Sequence, residues 1–424
     1  MRKTFITKLK QGKIELDKKT ISQLKPGEEL KVTIEPVRDI VWDKAIPYGH
    51  QNVEEDDINA VVGVLESDLI TQGPKALEFE KKLCEYTKAK YAVVCSNGTA
   101  ALHLAVKALH LKEGFEGITT PNTFVASSNC ILYNNGRPVF ADIERDTYNI
   151  APEVIKKKVT EKTRVIIPVD FAGQPCDMEK IHKIAREHDC YIIRDACHSI
   201  GSTYKGGKTG NCQYSDMTVF SFHPVKNITT GEGGAVLTND KKLYERLKLL
   251  RAHGITRDRE LMEQDDGPWY YEMIDLGFNF RITDFQCALG ISQLKKLDRF
   301  MQRRREIVNR YNKAFKDIRV IKPPFEKADV RSAYHLYVIQ IEFDKINYSR
   351  AELMKELEKK QIGVMVHYIP VHLQPFYQKH YGTKKGDCPA AEEYYSKALS
   401  LPIYPRMTDN QVEYVIKNMI ELLG

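Results

Sequence analysis

The stretch FSFHPVKNITTGEGGAVLTND, residues 220–240, decides how this chain is read. It begins apolar, ends rich in glycine and carries a single lysine, Lys226. Such flanks are foreign to a solvated lysine. Glycines let the main chain approach a ligand closely, and a desolvated lysine can lose its proton and attack a carbonyl. Asp195 lies 31 residues upstream, in CYIIRDACHSIGSTYKGGKTG (190–210). An apolar strand delivers it at its carboxyl end, where α/β sheets place ligands, and His198 follows. Each alone has a plainer reading: a helix-capping Asp and a buried, hydrogen-bonded His. In CSNGTAALHLAVKAL (95–109) a strand ends at Cys95, a turn passes through Asn97 and Gly98, and a helix opens at Thr99 or Ala100. Amides at a helix start suit a phosphate, although a plain strand-to-helix turn looks the same.

Outward from these stretches the pattern repeats. Short apolar runs, YAVVCS, GITTP, PVFADI, RVIIPVDF, CYIIRDA, DMTVFSF and GAVLTN, are bounded by turn residues and separated in places by helical segments. Among the helical segments, KALEFEKKLCEYTK (75–88) brings Leu77, Phe79, Leu83 and Tyr86 near one face. Strands alternating with helices predict an α/β fold with a largely parallel sheet covered on both faces. A long helix starts near Asp284 and passes residue 310, and a second α+β domain follows it. The expected divisions are a small β module at 1–40, a large domain at 48–295 and a small domain at 296–424.

The chain has 424 residues, 42% of them hydrophobic and 29% charged, with a net charge of +7. That is ordinary globular composition, and the charge alone implies neither nucleic acid nor membrane. Residues 1–40 hold 10 basic and 6 acidic residues, so more than half of the surplus lies there. No apolar stretch approaches the ~20 residues of a spanning helix, and the charged N-terminus lacks the core of a signal peptide. Nine cysteines without a CxxC pair predict reduced thiols in a cytoplasmic protein. The histidines show no metal-like clustering. Helix 294–319 carries 10 basic and 3 acidic residues. Its Leu294, Leu297, Met301, Val308, Tyr311 and Phe315 trace an apolar face, leaving the charges to solvent.

The three chemical stretches fit one cofactor. Pyridoxal 5'-phosphate needs a lysine for its aldehyde, a carboxylate for its ring nitrogen and anion donors for its phosphate. Lys226, Asp195, and the Gly98–Ala100 turn with Ser221 supply all three. FSFHPVKNITTGEGGA, GFNFRITDFQCALGISQL (277–294) and TTPNTFVASSNCILYNNGRPVFADI (119–143) resemble motifs of the DegT/DnrJ/EryC1/StrS sugar aminotransferases. That resemblance implies fold type I (aspartate-aminotransferase-like), with a mostly parallel mixed sheet and a smaller C-terminal α+β domain. It implies that Lys226 carries the cofactor, Asp195 meets its ring nitrogen and His198 stands beside that Asp. It also implies that Gly98, Thr99, Ala100 and Ser221 bind phosphate and that Phe124 stacks on the ring. Asn279 then reaches the phosphate from a partner subunit, so the active sites of a homodimer are shared. Cys197 and Cys287 stand where alanine is common in the family.

Within the family, SDLITQGPKALEFEKKLCEYT and IGVMVHYIPVHLQPFY resemble the branch serving pseudaminic acid biosynthesis. That implies transfer of an amino group from L-glutamate to C4 of UDP-2-acetamido-2,6-dideoxy-β-L-arabino-hex-4-ulose. Another UDP-, dTDP- or GDP-keto sugar is the alternative. By the same resemblance Tyr48, Asp68, Leu69, Ile70, Thr71, His335, Leu336 and Tyr337 line the sugar-nucleotide pocket. Trp269, Tyr270 and Tyr271 form either a lid or uracil/sugar platform, or else a packed surface loop or dimer contact. A rival reading rests on GKIEL and LKPGEELKVTIEP, which resemble swapped-hairpin domains of bacterial regulators. It makes residues 1–37 a DNA- or partner-binding module tethered to an aminotransferase-like body.

Overall fold

A computed structural model describes residues 45–424, together with the backbone of Leu9–Lys10 and Lys13–Ile14. The chain divides into two compact units, Met1–Asp43 and Lys44–Gly424. In the first, Leu9–Lys10 pairs antiparallel with Lys13–Ile14. The stretch LKPGEELKVTIEP, on which the binding-module reading partly rests, lies outside the described residues.

The second unit is built on a seven-stranded sheet. Its strands are β1 (Tyr91–Cys95), β2 (Glu116–Thr119), β3 (Arg137–Phe140), β4 (Thr163–Ile167), β5 (Tyr191–Asp195), β6 (Met217–Ser221) and β7 (Gly234–Thr238). Their order is β1-β7-β6-β5-β4-β2-β3. All run parallel except β7, which is antiparallel to both neighbours. Every residue of β6 and β7 is buried, as a central strand covered on both faces requires. The sheet is the mostly parallel one that the alternating runs predict.

Helices α1 (Glu55–Leu65), α2 (Pro74–Thr87), α3 (Gly98–Ala108), α4 (Ala126–Leu132), α5 (Pro152–Lys158), α6 (Met178–Glu187) and α7 (Lys241–Arg251) precede the 32-residue α8 (Asp284–Phe315). One core joins α3 and α7 to Val93, Ile193, Val219 and Val236 of the sheet. A second joins α2 and α8 to Val94, Phe220 and Ala235. In α2, Phe79, Leu83 and Thr87 recur every four residues and are buried. Leu77 stands two residues from Phe79, turned by about 200°, and is exposed, unlike the sequence expectation.

Helix α8 opens on a capping box between Thr283 and Gln286, and its six expected apolar residues are all buried. It runs unbroken through residue 295, where the sequence suggests a domain division. Beyond it, β8 (Ile321–Lys322), β9 (Tyr337–Ile341) and β10 (Ala398–Leu401) form an antiparallel sheet, with α9 (Arg350–Lys359), α10 (Pro375–Tyr381), α11 (Pro389–Lys397) and α12 (Asp409–Leu423). All nine cysteines are free, as the sequence predicts; seven are buried, Cys84 and Cys197 are partly buried, and Cys197 faces a cavity. No described helix is long and apolar enough to cross a membrane.

Gly290 in α8 gives a test of this packing. Alanine normally stabilises a helix interior relative to glycine by about 1 kcal/mol. Here a Cβ would lie 2.6 Å from Cζ of the fully buried Phe79. Gly290→Ala is therefore expected to destabilise by about 1–3 kcal/mol in urea unfolding. A stabilised variant would contradict the packing of α2 on α8.

Candidate active site

Strand register gathers the candidate residues. Val219 pairs with Asp195, Ser221 with Gly234, and Gly234 with Cys95. The carboxyl ends of β1, β5 and β6 therefore meet where antiparallel β7 begins. A cavity of about 720 Å³ opens at this edge. Close approach is obligatory there. A Cβ on Gly234 would lie 2.4 Å from the Asn97 carbonyl oxygen, and one on Gly98 would lie 2.8 Å from Ser221 Cβ.

Helix α3 starts at the cavity. The Asn97 side chain accepts from the Ala100 amide at 2.8 Å, and its carbonyl accepts from the Ala101 amide at 3.0 Å. The amides of Gly98 and Thr99 are left for an anion, next to the Ser221 hydroxyl. Ser221 Oγ also accepts from the His223 amide at 3.4 Å.

Asp195 is buried at the end of β5. Its Oδ2 accepts from Ser127 Oγ at 2.7 Å and its Oδ1 from the Cys197 amide at 3.1 Å. Lys226 reaches the same cavity. Desolvation lowers the pKa of its amine, while Cys197 and Asp195 act in the opposite direction. Burial thus makes the amine release its proton more readily than an exposed lysine does.

His198 packs its ring 4.4 Å from that of His335. Its Nε2 shares a hydrogen bond with the Tyr368 hydroxyl at 3.2 Å, and its Nδ1 is buried without a partner. Burial holds both imidazoles well below their usual range, with Lys226 adding to the effect. His367 is also depressed, to about 4, chiefly by burial and then by Lys226. Its Nδ1 shares a hydrogen bond with Ser400 Oγ at 2.9 Å. These histidines, Tyr368 and Tyr48 make a second cavity wall from outside the large sheet.

Lys226, Asp195, His198, Gly98, Thr99, Ala100, Ser221, Phe124, Tyr48 and His335 thus share one cavity. Others named from the sequence do not line it. Asp68, Leu69, Ile70 and Thr71 are exposed, held near α8 by a bond from the Asp284 amide to the Ile70 carbonyl. Leu336 and Tyr337 enter the core instead. Leu336 joins Phe140 and Phe171, and the Tyr337 hydroxyl donates to Asn312 Oδ1 at 2.7 Å. Asn279 is exposed and pairs with Ala252. Trp269 and Tyr271 are exposed on their loop, and neither lines the cavity.

Sequence reasoning assigned no site role to Ser127, His367 or Tyr368. Each lies in a stretch singled out for its resemblance, TTPNTFVASSNC or IGVMVHYIP, but no spacing rule separates it from its neighbours.

The DegT/DnrJ/EryC1/StrS aminotransferase family model matches residues 51–420. The UDP-4-amino-4,6-dideoxy-N-acetyl-beta-L-altrosamine transaminase of Campylobacter jejuni is 38% identical over 89% of this chain and 97% of its own length. Helicobacter pylori PseC, an aminotransferase involved in the biosynthesis of pseudoaminic acid, superposes with a TM-score of 0.83. Its identity is 34%, over 90% of this chain and 99% of its own. Spr1654 of Streptococcus pneumoniae in its PLP-form gives a TM-score of 0.81 at 31% identity, over 90% of this chain and 100% of its own. It is also solved in a PMP-form.

The depressed imidazole of His367 predicts an acid-labile fold. Between its usual 6.5 and about 4, the unfolded chain binds a proton that the folded chain refuses. Its contribution is fully present above that window and is lost as pH falls through it, up to about 3 kcal/mol. Urea unfolding at pH 7 and pH 5 is expected to show a shallower pH dependence for His367→Asn than for wild type. Equal slopes would refute the assignment.

Proposed function

From the premise that this chain belongs to the DegT/DnrJ/EryC1/StrS aminotransferase family and is a sugar aminotransferase, we propose that it moves an amino group from L-glutamate to C4 of a UDP-linked 4-keto-6-deoxy sugar, using pyridoxal 5'-phosphate. The substrate of this reading is UDP-2-acetamido-2,6-dideoxy-β-L-arabino-hex-4-ulose. The observation that carries the reading is one cavity holding a desolvated amine, a buried carboxylate and free helix-start amides.

The residues fit the cofactor on three counts. Gly98 leaves no room for a side chain beside Ser221, so the amides of Gly98 and Thr99 can face a phosphate. The carboxylate of Asp195 is held by Ser127 and the Cys197 amide, fixed to accept from a ring nitrogen. His198 Nδ1 is a buried polar atom without a partner in the same cavity. Lys226 would carry the group and Phe124 would cover its ring. When bound, pyridoxal phosphate supplies an aldehyde that joins amines covalently and a ring that accepts electrons from a deprotonated carbon.

The chain's own part is proton handling and placement. Lys226 Nζ takes the α-proton of the amino donor and later returns a proton during amination of the sugar carbon. Asp195 keeps positive charge on the ring nitrogen favourable, because an anion beside a base raises its proton affinity. The neutral histidines line the wall without adding charge. Asn279, exposed in this chain, is assigned to the active site of a second copy, making the enzyme a homodimer with shared sites.

Mass spectrometry of products from UDP-, dTDP- and GDP-4-keto sugars with L-glutamate tests the proposal. Amination of the UDP sugar is expected, and Lys226→Ala is expected to lose ~10³-fold or more in rate. Near wild-type turnover by Lys226→Ala would overturn the mechanism. Amination of only dTDP or GDP sugars would overturn the substrate.

A further inference from the structure

Helix α8 carries a charge that its apolar face does not explain. Arg304 lies on that face between Met301 and Val308 and is 1% exposed. The sequence pattern placed every cation of this helix in solvent. Instead of a carboxylate, Arg304 Nη1 meets the carbonyls of Tyr334 and His335, each at 3.2 Å, and of Ile403 at 3.0 Å. Its Nε is buried without a partner. Burial lowers its pKa only to about 9, so it remains a cation at neutral pH. A buried cation without a counter-charge is costly, and a leucine or methionine would fill a helix face more cheaply.

The gripped carbonyls lead to the cavity. His335 lines it directly. The Ile403 amide donates to the Tyr48 carbonyl at 3.1 Å, and Tyr48 lines it too. The segment around His335 is also held in an unusual shape. Tyr334 has φ 44°, and facing it are Ala172 at φ 56° and Gly173 at φ 99°. The Ala333 amide donates to the Gly173 carbonyl at 3.2 Å and the Leu336 amide to the Ala172 carbonyl at 3.3 Å. A Cβ on Gly173 would lie 2.9 Å from the His335 nitrogen. Bulky residues keep left-handed backbone only where their surroundings over-determine it, and such places cluster at functional sites.

We propose that Arg304 is a positioning residue for the acceptor sugar: by holding three main-chain carbonyls it sets His335 and Tyr48 in the wall around Lys226. It touches no substrate itself. The nucleotide sugar, being much larger than glutamate, covers more of that wall and feels its displacement more. This inference rests on the sugar-aminotransfer reading above.

The test compares cofactor-loaded Arg304→Met, Arg304→Lys, His335→Asn and the double variant Arg304→Met/His335→Asn with wild type. Arg304→Met is expected to raise KM for the UDP-4-keto sugar at least tenfold. KM for L-glutamate should stay within twofold, with an unchanged visible absorbance of the bound cofactor. Arg304→Lys should recover part of the loss. Adding His335→Asn to Arg304→Met should cost less than His335→Asn costs in wild type, since coupled residues are not additive. A merely structural arginine would lower the melting temperature and leave both KM values in place. An unchanged sugar KM, an equal rise for both substrates, or additive effects would overturn the proposal. If Arg304→Met does not fold, the two KM values of Arg304→Lys decide by the same criterion. Failure of the underlying reading shows separately, as wild-type enzyme that aminates no sugar, and this proposal falls with it.

Discussion

The register of strand β6 is the constraint on which the site depends. It pairs with β5 so that Val219 faces Asp195, and with β7 so that Ser221 faces Gly234. β7 then pairs with β1 so that Gly234 faces Cys95, the last residue before the turn into α3. A slip of one residue would exchange the two faces of a strand. Since both faces of β6 and β7 are buried, the cores against α3 and α8 resist that slip. The single antiparallel strand matters as well. It starts at the edge where its neighbours end, and its first residue has no side chain to obstruct Asn97.

Desolvation then turns this geometry into chemistry. A buried carboxylate must be hydrogen-bonded, and Asp195 receives a hydroxyl from Ser127 and an amide from Cys197. A lysine amine in the same enclosure loses solvation of its charged form, so its proton is held less tightly than usual. The same burial keeps His198, His335 and His367 neutral beside it. The first wall therefore carries the charges, and the second carries aromatic rings and neutral imidazoles.

Much of this was legible because it is local. Lys226 announces itself through apolar residues before it and glycines after it, and Asp195 through its place at a strand end. The apolar face of α8 follows from helical spacing. The second wall was less legible. His335 lines the cavity while its neighbours Leu336 and Tyr337 do not, and that difference comes from the turn into β9 rather than from residue type. Tyr368 and His367 come from a segment about 140 residues beyond Lys226, with no periodic pattern to mark them. Arg304 reads as a solvated cation until the carbonyls that surround it are known.

The sequence by itself determined the alternating α/β architecture, the lysine, the carboxylate and the helix-start turn. Each is encoded in a window of residues adjacent along the chain, where hydrophobic period and glycine placement act directly. Only the tertiary structure decided which distant segments close the cavity. It put Ser127 on Asp195 and His335 on His198, and it left Asp68–Thr71 outside. The physical reason is that these contacts join side chains far apart in the chain, and only long-range packing, held by main-chain hydrogen bonds that carry no residue identity, brings them together.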